Sequence, residues 1–451
     1  MKRVLVITYY WPPSGGSGVQ RWLKTSKYLP ENGWEPVIYT PLNPDLNSVD
    51  QSLSRDVPPG LKVIKRKITE PYGFYKLLSG KKKCELLQAN MVVGQKKGFI
   101  QRVSGYIRAN WFIPDPRCWW IGPSVRFLSK LIRNGEGFDA VVSTGPPHSM
   151  HLIAMALHKR FNIPWLADFR DPWTKIFYFK HLGLSQKSLR KHKALERSVL
   201  EQADRVAVVS SQMKEDFSTG EYSDFAGKIT VIPNGYDPAD FSSENNPELA
   251  TAEQQIKTVL DAGMFVVVHT GLMPESANPD MFWKVLGDEV KSNPELGKKL
   301  MIVTMGQTCR SVVECIAENG LSDNFKDLGY VPHATSVAWQ KRADLLLLPL
   351  RKEIESKAIL TGKFFEYLAS GNRILAFGPT DGNLALELRN TGSGTICRFD
   401  DIDSIRKAFM ELSHAAAPTA QQMEYGKQYS RIAGAASFAE NLNQITKENN
   451  I

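Results

Sequence analysis

Short runs of apolar, largely β-branched residues alternate with helix-patterned stretches from one end of this chain to the other, and that alternation admits few folds. Seven such runs fill the first half (KRVLVITYY, EPVIYT, LKVIKRKI, FDAVVST, IPWLADF, DRVAVVSS, KITVIP) and six the second (MFVVVHT, KKLMIVTM, FKDLGYV, DLLLLPL, NRILAF, GTICRF). Most are apolar throughout, as suits strands covered on both faces of a parallel sheet. Strands alternating with helices build βαβ units, so the expected class is α/β. The 451 residues allow two or three domains at about 150 residues each. The polar, turn-rich stretch NGYDPADFSSENNPELATAEQQ separates the two series and puts a boundary near residues 237–260. The expected parts are 1–240, 255–425 and a helical tail, 426–451, with Ile432, Ala436, Phe438 and Leu442 as its packing positions.

The other classes are excluded by composition. At 42% hydrophobic and 23% charged residues the chain is neither disordered nor fibrous. No apolar run reaches the roughly 18 to 20 residues that span a bilayer. The opening MKRVLVITYYWPP breaks at Trp11, Pro12 and Pro13 without a cleavage pattern, so it reads as a first strand in a cytoplasmic protein. Cys84, Cys118, Cys309, Cys315 and Cys397 are scattered, with no C-x-x-C pair, as expected of reduced packing residues.

Charge is concentrated in one place. Residues 61–110 hold twelve Lys or Arg and two acids, a local excess of +10 in a chain whose net charge is +9. Aromatic and aliphatic residues are interleaved there, as in YGFYKLLSGKKK, a mixture suited to docking on an anionic membrane surface. A solvated insertion is the other reading. No nucleic-acid-binding motif accompanies the charge, so nucleic acid is not an expected partner.

Strand ends run directly into small or charged clusters: GGSG, GPPH, FRDPW, TG, MG, PLRK and GPTDG. In open parallel sheets ligands bind outside the carboxyl ends of strands. After the first strand, Gly15, Gly16 and Gly18 precede a helix patterned by Val19, Trp22, Leu23 and Leu29, which lets backbone approach a ligand and offers helix N–H groups to an anion. A nicotinamide site fits poorly: Arg21 replaces the third glycine of G-x-G-x-x-G, and no ribose-binding acid follows the second strand at Tyr39, Thr40 and Pro41. In LADFRDPW, Asp168, Arg170 and Asp171 follow a strand and are either paired among themselves or aimed into a cleft. In GPPHSMH, His148 is a candidate polar contact and His151 a helix-packing residue.

KAILTGKFFEYLASG is the most informative stretch. A helix starting near Thr361 and Gly362 presents unpaired N–H groups, and Lys363 adds a full charge in the same turn, together a diphosphate site. Glu366 lies one turn on, among Phe364, Phe365, Tyr367 and Leu368. Such a carboxylate needs a partner: two ribose hydroxyls, or Lys363 itself. The D-x-D of Asp401 and Asp403 reads as a helix cap rather than a metal site.

Taken in order, YYWPPSGGSGVQRW, STGPPHSMH, ADFRDPW, ADRVAVVS with VIPNG, GYVPH, TGKFFEYLASG and GPTDG give nearly the whole chain a resemblance to the retaining GT-B glycosyltransferases of family 4, of the bacterial surface-polysaccharide kind. The resemblance implies two Rossmann-like parallel-sheet domains facing a central cleft, with a C-terminal helix crossing back to the first. The first domain would take a glycan or lipid-linked acceptor and the second a nucleotide sugar donor, with no cofactor and no metal. Glu366 would hold the donor ribose. Gly362 and Lys363 would lie by its phosphates, as would Gly15, Gly16 and Gly18. His148 and the Asp168, Arg170, Asp171 segment would face the sugar, and Thr270, Gly271, Gly306, Tyr330, Val331 and Thr361 would complete the donor site.

Two departures stand out. The family's second glutamate is replaced by Ala358, and its basic pair is missing from HTGLMPESANPDMFW, leaving Arg351, Lys352 or Lys357 to compensate phosphate charge. A sugar-nucleotide epimerase of the same architecture and a catalytically idle glycan-assembly partner remain as alternatives.

Overall fold

A computed structural model describes residues 1–46, 49–70, 99–176, 179–244, 246–260, 263–352, 357, 360–414 and 419–448. Most of the basic run, from Lys76 to Lys97, lies outside these residues, as does Ala358. The chain divides into two compact units, Met1–Pro233 with Ala435–Ile451, and Asn234–Gly434.

The first unit is built on a seven-stranded parallel sheet in the order β3-β2-β1-β4-β5-β6-β7. Its strands are β1 (Lys2–Ile7), β2 (Trp34–Pro41), β3 (Lys62–Arg66), β4 (Ala140–Gly145), β5 (Trp165–Phe169), β6 (Arg205–Val208) and β7 (Ile229–Val231). The second unit has six parallel strands in the order β10-β9-β8-β11-β12-β13. These are β8 (Phe265–Thr270), β9 (Leu300–Met305), β10 (Phe325–Asp327), β11 (Leu345–Pro349), β12 (Arg373–Phe377) and β13 (Gly394–Cys397). All thirteen apolar runs of the sequence are therefore strands, and both sheets have the doubly wound Rossmann-like order. That order reverses between β1 and β4 in one sheet and between β8 and β11 in the other, the places where such sheets open a crevice at their carboxyl ends.

Continuous burial explains the strand composition. Val4, Leu5, Val6 and Ile7 are each fully buried, with Leu5 and Ile7 in a core on one face of the sheet and Val4 and Val6 in a core on the other. Lys62, Lys65 and Arg66 of the basic run belong to β3, where Lys62 pairs with Glu136 at 2.6 Å.

The tail is helical over Arg431–Glu448, but its packing face differs from the expected one. Ile432 and Ala436 are exposed; Ala435, Phe438, Ala439, Leu442 and Ile445 are buried. Only the latter set keeps the 3.6-residue period along one stripe. Phe438 meets Trp22 at 4.8 Å between ring centroids. Burying each large side chain of this stripe stabilises the first unit by roughly 1.5–3 kcal/mol. In the second unit, Gly235 passes against the backbone of Tyr429, where a Cβ would fall 2.0 Å from the carbonyl oxygen. No described helix is long and apolar enough to cross a membrane.

Candidate functional site

In the first unit the strand-end loops do converge, with a different division of roles from that expected. Asp168 is fully buried and accepts from Arg21 Nη2 at 2.7 Å, Arg21 Nε at 3.1 and 3.0 Å, Trp22 Nε1 at 2.8 Å and Thr144 Oγ1 at 2.8 Å. Burial pushes its carboxyl up, but Arg21 and the other donors outweigh that and hold it low. Asp168 thus forms the internal ion pair, with Arg21 rather than Arg170, and its oxygens are engaged inside the unit.

Arg170 turns the other way. Its Nη1 donates to Gly18 O at 2.9 Å and its Nη2 to Pro146 O, and its guanidinium lies 5.4 Å from the Tyr10 ring centroid. A Cβ on Gly18 would fall 2.8 Å from Nη1 and 3.1 Å from the Tyr10 ring. The close approach that Gly18 permits is therefore made by Arg170 of the same chain. Gly16, at φ +93°, caps the Ser17–Tyr28 helix without a side-chain hydrogen bond and has open space around it. Gly15 beside it is half-buried. Arg170 Nε is buried without a hydrogen-bond partner among the described residues. Burial raises the Asp171 carboxyl, against the pull of Arg170.

His148 stacks on Trp173 at 4.4 Å, with its Nδ1 buried and unpartnered among the described residues. Burial, reinforced by His151 and Arg170, holds it well below the usual imidazole range. His151 is fully buried, stacks on Phe169 at 4.4 Å and shares a 2.8 Å hydrogen bond with Ser143 Oγ. Burial pushes it down to about 3. Around neutral pH both rings are neutral; His151 packs as the sequence suggests, and each ring keeps one buried nitrogen, His148 Nδ1 and His151 Nε2, without a hydrogen-bond partner among the described residues.

The second unit gathers its candidates at the carboxyl ends of β8, β9 and β10. Gly271, at φ +86°, leaves room for Lys363, whose Cε would lie 2.7 Å from a Cβ there. Gly306, at φ +106°, packs on the backbone of Gly271 with no space for a side chain. Lys363 Nζ lies 3.3 Å from His269 Nε2 and donates to Leu272 O at 3.2 Å. Burial pushes the ammonium down to about 8, partly opposed by Glu366. The Gly362–Ser370 helix begins at Thr361 with no side-chain cap, and the Thr361 hydroxyl is buried without a hydrogen-bond partner among the described residues. An uncapped helix start, an orphaned hydroxyl and a cation in one turn are groups suited to receive an anion.

Glu366 is half-buried, its Oε1 3.5 Å from His333 Nε2, and its Oε2 accepts from Gln340 Nε2 at 3.2 Å. Burial raises its carboxyl, but His333, Gln340 and Lys363 outweigh that and keep it ionised. Nothing in the sequence singles out Gln340; His269, next to the end of an apolar strand, and His333, the last residue of GYVPH, leave a signal there without being named as site residues. Thr270 is buried, with its backbone N–H and its hydroxyl both directed to Tyr367 Oη, at 2.9 and 3.3 Å. Tyr330 is 78% exposed and Val331 packs partly on the core just before the His333–Arg342 helix. Of the three cations proposed for compensation, Lys352 pairs with Asp280 at 3.1 Å and Lys357 with Asp381 at 2.6 Å; Arg351 is half-buried. Asp401 caps the Ile402–Ser413 helix by accepting from Ser404 N, as its spacing suggested. No cluster among the described residues has the ligands for a metal ion.

Residues 16–240 match the profile of Glycosyltransferase Family 4. No curated protein matches the chain. Among solved structures, a glycosyltransferase from Rickettsia africae is similar at TM-score 0.59 and 14% identity, covering 99% of each chain. Sucrose-phosphate synthase from Thermosynechococcus elongatus is similar at TM-score 0.58 and 15% identity, covering 99% of this chain and 100% of that one. WaaG, a glycosyltransferase involved in lipopolysaccharide biosynthesis, is similar at TM-score 0.52 and 13% identity, covering 99% and 98%. Residues 16–240 are thus similar to the family 4 profile, and the solved structures show the fold, two Rossmann-like parallel-sheet units of GT-B architecture.

Proposed function

We propose that the second unit binds a nucleoside-diphosphate sugar and that the protein transfers its sugar, with retention, to a hydroxyl of a lipid-linked or growing glycan taken by the first unit. The observation that carries this reading is the uncapped start of the Gly362–Ser370 helix, where the Thr361 hydroxyl lacks a partner among the described residues and Lys363 adds a cation. As the anomeric C–O bond breaks, its electrons pass to the diphosphate, and fixed N–H groups with an ammonium at that point lower the barrier. In this scheme the protein's own cation meets the charge, and no metal is called for. Glu366, kept ionised, accepts hydrogen bonds from the two ribose hydroxyls. In the first unit, neutral His148, Arg170 and Asp171 are the polar groups offered to the sugar and the incoming hydroxyl.

WaaG's part in lipopolysaccharide biosynthesis supports a surface-polysaccharide role; the protein would carry it out at the cytoplasmic face of the membrane. The test is a thermal-shift screen of UDP, GDP, ADP and their sugars, since a ligand selective for the folded state raises its melting point. Sugar transfer from the selected donor is then followed with and without a glycolipid acceptor. Transfer with an unchanged anomeric configuration is expected. Conversion of the donor without acceptor would mean an epimerase, and no nucleotide-sugar binding would mean an idle assembly partner.

A further inference from the structure

The first unit carries large apolar side chains outside its core. Trp111 is 75% exposed, Tyr106 and Trp119 51% each, Leu182 39% and Ile107 37%. Tyr106, Ile107 and Trp111 lie toward the end of the Phe99–Trp111 helix, and Trp119 opens the Cys118–Arg133 helix that follows. The rings of Phe112 and Trp119 meet at 5.2 Å. Asn110 ties the Phe99–Trp111 helix to the loop that carries Leu182: its side chain donates to Gly183 O at 3.2 Å and accepts from Ser185 N at 2.7 Å. Three stretches of chain thus contribute to one aromatic face.

The stretches that carry this face are nearly free of acids, although Glu221 from elsewhere pairs with Lys193 at 3.7 Å. Residues 99–134 contain a single acid, Asp115, and residues 179–195 contain none. Asp115 is engaged by Ser149, whose N–H and hydroxyl donate to it at 2.8 and 2.9 Å. Arg108, Lys187, Arg190 and Lys191 are exposed on the same stretches. Exposed Trp and Tyr among cations, without acids, is the composition of a surface that settles at the lipid headgroup level. A second copy of the chain fits poorly, because a twofold interface would set these cations against themselves.

We infer that this face, rather than the basic run alone, docks the protein on an anionic membrane, with Trp111 and Trp119 among the headgroups and the four cations on lipid phosphates. The docking would deliver the enzyme to a lipid-linked acceptor and rests on the proposed function for that purpose, though not for its test.

The full chain is sedimented with vesicles of phosphatidylcholine alone and of equal parts phosphatidylcholine and phosphatidylglycerol. Binding to the anionic vesicles only, weakened by salt and accompanied by a blue shift of tryptophan emission, is expected. Each cation near such a surface contributes on the order of fivefold in affinity, so K187E/R190E/K191E, which reverses three charges, should bind at least about a hundredfold more weakly. W111S/W119S should bind more weakly and lose the blue shift. Both variants change exposed residues outside the donor unit, so melting temperature and pyrophosphate binding should stay as in the parent. Failure of the parent to bind anionic vesicles, or parental binding by both variants, overturns the inference. A parent dimer that either variant converts to monomer in sedimentation velocity also overturns it, by making the face a self-interface. Vesicle binding without nucleotide-sugar binding would leave the docking standing and remove the proposed transfer.

Discussion

The ammonium of Lys363 lies 3.3 Å from Nε2 of His269, while Nδ1 of that ring is 3.0 Å from the carbonyl oxygen of Leu347. A carbonyl only accepts, so the ring proton is on Nδ1 and Nε2 presents its lone pair to the lysine. Burial, with the ammonium's charge added, keeps the ring from taking a second proton. His269 is thus a fixed acceptor that points Lys363 along the turn where an anion would bind.

Replacing His269 by Phe keeps a ring of similar size and removes that acceptor, leaving Leu272 O to hold the lysine. One hydrogen bond to a charged group is worth about 1.5 kcal/mol or somewhat more, so affinity for inorganic pyrophosphate should fall on the order of tenfold. Titration calorimetry of the variant measures this. Parental pyrophosphate affinity in the variant would show that Lys363 needs no such support.

Lys363→Met tests the cation itself, and turnover should drop by about two orders of magnitude, the scale for losing one charge-stabilising donor. Its pH dependence has a definite sign. With the folded ammonium near 8 and the unfolded one near the ordinary lysine value, the folded state binds fewer protons between them. Stability of the unliganded protein relative to Lys363→Met should therefore rise as pH climbs from about 8 toward 10.5, where the cost of burying the charge disappears. Pyrophosphate binding should weaken over the same window. Urea denaturation of the pair at several pH values decides it, and a pH-independent difference would mean the ammonium is not buried against its will.

What could be read from the sequence follows the range of the interactions. Each strand was visible because a buried parallel strand writes its burial into consecutive residues, as Leu345–Pro349 does. The uncapped start at Thr361 and the placement of Lys363 and Glu366 were equally local. The partners of Glu366 were not, because Gln340 comes from a different helix 26 residues earlier. For Asp168 the sequence offers Arg170 as a local partner or, through the family resemblance, the sugar, whereas its actual partner Arg21 lies 147 residues away. In the terminal helix, alanines on several faces blur the apolar stripe, so the sequence points to Ile432 and Ala436 where the structure buries Ala435 and Ala439.

Glu366→Ala should separate nucleoside from phosphate recognition. A carboxylate that receives ribose hydroxyls through charge-assisted bonds contributes about 1.5–3 kcal/mol, so nucleoside diphosphate affinity should fall roughly tenfold to a hundredfold. Inorganic pyrophosphate has no ribose and should bind as before. Equal losses for both ligands would place Glu366 with the phosphates and not the sugar ring.

Asp168→Asn keeps the side-chain shape but leaves Arg21 buried without its counter-charge and turns an amide toward groups that donate. Breaking one half of a buried pair costs about 3–5 kcal/mol, measurable as a lower urea midpoint. Because the carboxyl is held below its unfolded value, its contribution is present above the ordinary carboxylate range and is lost as pH falls through the folded value. Acid denaturation of the variant should lack that component. A variant as stable as the parent but inactive would return Asp168 to the chemistry.

Gly18→Ala probes the first unit most selectively. Gly18 is not in the left-handed region, so alanine suits its backbone and the change should cost little stability. The added methyl nevertheless falls 2.8 Å from Arg170 Nη1 and 3.1 Å from the Tyr10 ring. The guanidinium must move, giving up its bond to the Gly18 carbonyl and its setting beside Asp171. If Arg170 and Asp171 serve the sugar and its acceptor, turnover should fall at least tenfold on the scale of a misplaced positioning group. Pyrophosphate affinity should hold, since Thr361, Lys363 and His269 all belong to the second unit. Kinetics, calorimetry and melting temperature on this one variant separate the outcomes: parental turnover would free Arg170 from any role, and a lowered melting temperature would make its contacts structural.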